Sequence, residues 1–100
     1  MVFTTHGPYV ARRLRSRVAN YGLEEQVVTN LVASYDSTGF GYVDYPSEVP
    51  ALVGVTKYGF CVSKPSWVCS QIESLSGLHL VVYTERAWDH HQDSVGCTRQ

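Results

Sequence analysis

A chain of 100 residues with 44% apolar and 17% charged side chains has room for one hydrophobic core, which excludes a disordered polar chain and a second domain. The net charge of −1 excludes indiscriminate attraction to duplex nucleic acid. That average hides a split: Arg12, Arg13, Arg15 and Arg17 precede every acid, while all nine acids come later, against Lys57, Lys64, Arg86 and Arg99. A local anion-binding patch near the start is compatible with this distribution.

MVFTT is β-prone and reads as a short first strand. Pro8 suits the first turn of a helix, where its missing N–H costs nothing. Val10, Leu14, Val18 and Tyr21 then fall on one stripe of a 3.6-residue period, ending at Gly22. On this helix Arg13 and Arg17 flank the stripe on one side and Arg12 and Arg15 on the other, so a site uses one pair and not all four. A second helix is expected from about Leu23, with Glu24 and Glu25 at the positive end of its dipole, and Asp36 to Gly39 closing it.

From residue 40 the pattern turns to short β-prone segments at Phe40 to Tyr45, Ala51 to Thr56, Tyr58 to Val62, Trp67 to Glu73 and Leu78 to Thr84. LHLVVYT reads as the most buried strand, with His79 on its opposite, open face. The fold class is therefore α+β: two N-terminal helices packed on an antiparallel sheet of about four to five strands. Residues 1–88 form the expected domain and residues 89–100 a polar C-terminal tail that frays. The absence of an apolar run near 20 residues predicts a soluble, cytoplasmic protein without membrane attachment.

Chemistry is sought in few places. Cys61, Cys69 and Cys97 lack CxxC spacing, which predicts neither disulfide nor zinc site, with Cys97 the most accessible. His6 precedes the first helix, beside free backbone N–H groups that attract anions. The Asp89, His90, His91 and Asp93 run lacks an independently placed third ligand, so no metal is expected; His90 or His91 serves acid–base chemistry if the tail folds back. Without a phosphate-cradling glycine loop, a GxSxG elbow or a dinucleotide signature, no cofactor is expected. Tyr42, Asp44, Tyr45 and Glu48, around GFGYVDYPSEVP, make a tyrosine-bearing acidic patch suited to a basic protein partner.

The order strand, two helices, several antiparallel strands, with TTHGPYVARRLRSRVANYGLEEQVV at its start, resembles RelE/ParE-like toxins and related small ribonuclease domains over about residues 1 to 86. The resemblance implies metal-independent RNA cleavage and a cognate antitoxin as protein partner. It implies His6, Arg13, Arg17, His79 and Arg86 as catalytic residues, with Tyr83 or the His90 and His91 pair as further proton donors. The chain departs from ribosome-directed members in being slightly acidic. The alternatives are a small non-enzymatic binding module or inhibitor from a mobile element, acting through the tyrosine-rich acidic surface, and a homodimer joined by a sheet edge.

Overall fold

The computed structural model describes residues 1–45 and 59–99. The elements are β1 (Val2–Thr5), α1 (Pro8–Arg15), α2 (Glu25–Thr38), β2 (Phe40–Asp44), β3 (Gly59–Ser63), α3 (Pro65–Ser74), β4 (Leu78–Trp88) and β5 (Gln92–Arg99). The α+β class, the two N-terminal helices and an antiparallel set of about five strands are as expected. The described strands divide into a three-stranded sheet in the order β1-β5-β4 and a β2-β3 pair. The Ala51 to Thr56 segment and Glu48 lie outside the described residues.

Two apolar clusters follow from this division. Val10 and Leu14 of α1 pack with Val28, Leu31, Val32 and Tyr35 of α2 against Phe60 and Val62 of β3. Val68 and Ile72 of α3 pack with Val95 and Cys97 of β5. Each fully buried Val or Leu contributes roughly 1.5–3 kcal/mol. A backbone bond from Ser63 N–H to the His6 carbonyl, 2.8 Å, ties the end of β1 to β3. His6 thus stands at the seam between the clusters.

Several expectations change. Trp67 to Glu73 is helical, within α3: Pro65 opens the helix, and Val68 and Ile72, one turn apart, bury the same face, so helical spacing overrides the β propensity of Trp, Val and Ile. The polar tail is β5, the central strand of the larger sheet. Asp93, Val95 and Cys97 alternate inward along it and are buried, so Cys97 is not an accessible thiol. β4 is an edge of that sheet and not its most buried strand; Val81 and Val82 are exposed. The first helix ends at Arg15, with Arg17 left-handed at φ 60°, and Val18 therefore leaves the apolar stripe for solvent. Gly39, at φ 88°, caps α2 as its sequence position predicted.

Candidate functional site

Where α1, the chain before α2, β3 and the β4–β5 hairpin meet at the seam, they bring together His6, Tyr9, Arg13, Tyr21, Phe60, Arg86, His91, Gln92 and Asp93. The His6 ring stacks on Phe60 with centroids 4.7 Å apart. Its Nδ1 donates to the Cys61 carbonyl at 3.2 Å, and the Gln92 amide nitrogen stands 3.2 Å from its Nε2. A carbonyl only accepts, so Nδ1 carries the hydrogen and neutral His6 presents its lone pair at Nε2, where Gln92 donates. Burial pushes the His6 pKa below its ordinary value; the Cys61 carbonyl opposes this, a charged His91 adds to it, and Asp93 opposes it.

The second imidazole, His91, lies 6.1 Å from His6, edge to face. Its Nε2 is 2.8 Å from the Tyr21 hydroxyl, and its ring meets Tyr9 edge-on at 5.4 Å. Arg13 donates to the Tyr9 hydroxyl at 3.4 Å, and its positive charge pulls the pKa of the Tyr21 hydroxyl downward. Burial raises the Tyr21 pKa against the pull of Arg13, so Tyr21 keeps its proton at neutral pH and its hydroxyl stays hydrogen-bonded to His91 Nε2. The three side chains form a relay from guanidinium to phenol to imidazole. Tyr45 supports it from behind, its hydroxyl donating to the Tyr21 carbonyl at 2.7 Å.

Arg86 completes the cationic side. Its guanidinium lies 3.9 Å from the centre of the Tyr9 ring, and that of Arg13 lies 5.6 Å from the same centre. Arg86 adopts φ 54°, a conformation costly for a residue with a Cβ unless its surroundings hold it. They do: its N–H donates to Asp93 Oδ1 at 3.0 Å, and its Nε to the His90 carbonyl at 3.0 Å. Asp93 is wholly buried and accepts the Tyr83 hydroxyl at 2.6 Å through its other oxygen. A Cβ at position 7 would overlap that oxygen, so a glycine before α1 is what lets the carboxylate sit beneath the site.

Of the residues expected at the site, His6, Arg13 and Arg86 come together, and His91, expected as a further donor, joins them. Arg17 does not: its guanidinium is held by Glu25, Thr29 and the Leu14 carbonyl. Arg15 pairs with Asp36. His79 stands opposite Thr98, whereas the site is reached from Gln92 on the same strand; at ~3.4 Å per residue these positions are about 20 Å apart. Tyr83 points to the α3 side, where burial and Asp93 push its pKa well above the tyrosine range. His90 is exposed.

The tyrosine patch also divides. Tyr42 is exposed, with its hydroxyl on Asp44 at 2.7 Å, whereas Tyr45 turns inward toward Tyr21 and Phe60. Asp93 and His91 face different partners, which breaks the Asp89 to Asp93 cluster; among the described residues no three His, Cys, Asp or Glu side chains are grouped to hold a metal. Among the described residues no helix is long and apolar enough to cross a membrane.

Sequence reading missed Tyr9, Tyr21, Phe60, Gln92 and Asp93 as site residues. Tyr9 was legible as the partner of Arg13 one helical turn later. Asp93 was signalled by its alternation with Val95 and Cys97. No protein-family model, curated protein or solved structure matches the chain. The fold and the cluster define an α+β domain with two imidazoles flanked by two guanidinium groups.

Proposed function

We propose that this cluster is the active site of a metal-independent endoribonuclease of the RelE-like type, acting inside the cell on RNA. The observation that carries the reading is the pair of imidazoles 6.1 Å apart beside two guanidiniums gathered over one tyrosine ring. Among the described residues Arg13 and Arg86 enter no ion pair of the kind that occupies Arg15 and Arg17, and Asp93 offsets only part of their charge. Two cations left beside two proton-transfer groups suit a phosphodiester better than a neutral ligand.

In this reading His6 Nε2, kept neutral by burial, releases Gln92 and takes the proton of a ribose 2′-OH. The 2′-oxygen attacks the adjacent phosphorus, and the bond from phosphorus to the 5′-oxygen breaks. Protonated His91, steadied by Tyr21, gives its proton to the departing 5′-oxygen, leaving a 2′,3′-cyclic phosphate and a 5′-hydroxyl. Arg13 and Arg86 neutralise charge on the non-bridging oxygens, the role that dominates such catalysis. A cognate antitoxin would cover this basic corner. The binding-module alternative is less well supported, because Tyr45 faces its own domain and leaves Tyr42 and Asp44 as the described part of that patch.

The test is cleavage of a single-stranded RNA in excess EDTA by wild type, His6→Ala, His91→Ala and Arg13→Ala. Each variant should lose at least about 100-fold in rate, with cyclic phosphate ends in the wild-type products. Cleavage by both histidine variants at the wild-type rate, or equal cleavage of an all-deoxy oligonucleotide, would overturn the reading.

A further inference from the structure

Trp88 is 62% exposed at the end of β4. The protein's other tryptophan, Trp67, stacks on Phe40 at 4.3 Å, which is how an indole is ordinarily satisfied within a domain this small. Trp88 pairs in register with Gln92, and directly opposed residues of an antiparallel ladder project from the same face. The Gln92 side chain reaches His6 Nε2. The indole therefore emerges on the His6 side of the sheet, one interstrand spacing, about 5 Å of backbone, from the residue that latches His6.

Its backbone is well placed to stay there. The His91 N–H donates to the Trp88 carbonyl at 3.0 Å, and Asp89 and His90 close the intervening turn in left-handed conformations, φ 55° and 52°. The charges nearby are mixed: Arg86 contributes to the site, while Glu85 and Asp89 are exposed acids of the same strand and turn. Such a ridge is a poor rail for the closely spaced phosphates of a duplex. It suits a contact made through the flat face of a base, and base faces are free only where RNA is unpaired.

We infer that Trp88 is a stacking platform for an unpaired nucleobase beside the scissile phosphate, so that the substrate is single-stranded RNA. This rests on the ribonuclease reading of the neighbouring site. Arg13 and Arg86 hold the phosphate, and the indole fixes the adjoining nucleotide so that its ribose faces His6. The expected preference is for unpaired segments, with little demand on base identity, because every base offers a π-face.

The experiment uses a fully 2′-O-methylated RNA oligonucleotide, which cannot be cleaved by 2′-OH attack, either alone or annealed to its complement. Binding is followed by anisotropy and by tryptophan emission for wild type, Trp88→Ala and Trp88→Phe, with circular dichroism to verify folding. The single strand should quench wild-type emission, a quench lost in both variants. Trp88→Ala should weaken single-strand binding by about 5- to 150-fold, and Trp88→Phe by much less because phenyl still stacks. Equal affinity of wild type and Trp88→Ala, or a duplex bound as tightly as the single strand, would overturn the inference. The two readings fail separately. Trp88-dependent single-strand binding without cleavage of unmodified RNA supports the platform and removes the ribonuclease; cleavage with unchanged KM and strand preference in Trp88→Ala does the reverse.

Discussion

Replacing Gly7 with alanine perturbs the support beneath the site without altering a side chain that would meet substrate. Gly7 has extended backbone, φ −103° and ψ −152°, so the effect of a Cβ there is chiefly steric. The added Cβ would overlap Asp93 Oδ2 and lie 2.7 Å from its Cγ. Asp93 is 0% exposed and has no route to solvent, so the carboxylate must shift off the Tyr83 hydroxyl, the Arg86 N–H or both. Overpacking costs about 1–3 kcal/mol, and weakening a hydrogen bond to a charged acceptor adds up to about 1.5–3. The smaller entropy of an unfolded alanine returns about 0.4–1. The net expectation is a loss of about 2–4 kcal/mol, measured by urea denaturation, and a fall in Tm on the order of 10–20 °C. Asp93→Ala in the same assay should also destabilise, but Gly7→Ala added to it should then cost less than about 1 kcal/mol, because the obstacle has gone. A Gly7→Ala cost under about 0.5 kcal/mol, or strict additivity of the two changes, would refute the claim that Gly7 exists to seat Asp93.

Three further outcomes follow from the same contacts. The folded pKa of His6 is held below 6.5 by burial, so as pH falls the unfolded chain takes up this proton first; the stability present above about 6.5 is lost as pH drops through the folded value. His6→Phe, which keeps the stack on Phe60, should flatten this part of the urea-measured pH profile, and a wild type that gains stability on acidification would contradict it. Gly39→Ala should cost more than Gly22→Ala in thermal melts: both positions are left-handed, about 1–2 kcal/mol each, but at Gly39 a Cβ also meets Trp67 Cβ at 3.1 Å, while at Gly22 it finds only Tyr45 Cε1 at 3.9 Å. Equal costs would show that Trp67 gives way freely. Tyr21→Phe removes the hydroxyl between Arg13 and His91 and should slow RNA cleavage about 10-fold or more; an unchanged rate would remove Tyr21 from the relay.

The local elements that could be read ahead were those with strong local chemistry. Pro8 opens α1, Gly39 stops α2, and Val10 and Leu14 one turn apart mark the buried face of α1. The same local reading misplaced α3 and β5. Trp67 to Glu73 looks β-prone because of Trp67, Val68 and Ile72, yet Pro65 and the Val68 to Ile72 spacing fit a helix that covers β5. QDSVGCTR looks polar because its buried members include an acid and a glycine, and only its insertion between β1 and β4 makes it a strand. Arg17 could be placed beside Arg13 only while the helix was assumed to continue past Arg15.

Composition and periodicity by themselves determined the α+β class, the presence and order of the first two helices, and an arginine-rich start with His6 before it. These depend on contacts between residues near in sequence, which a period of 3.6 or 2 makes visible. Which arginine is left for a ligand, and which histidine joins His6, was decided only in three dimensions. Arg15 and Arg17 are claimed by acids of α2, while the β4–β5 hairpin folds His91 and Arg86 back onto Tyr9. Pairings between residues 70 to 86 positions apart, as in Tyr21 with His91 and His6 with Gln92, leave no periodic trace in a sequence, because strand order and register alone set them.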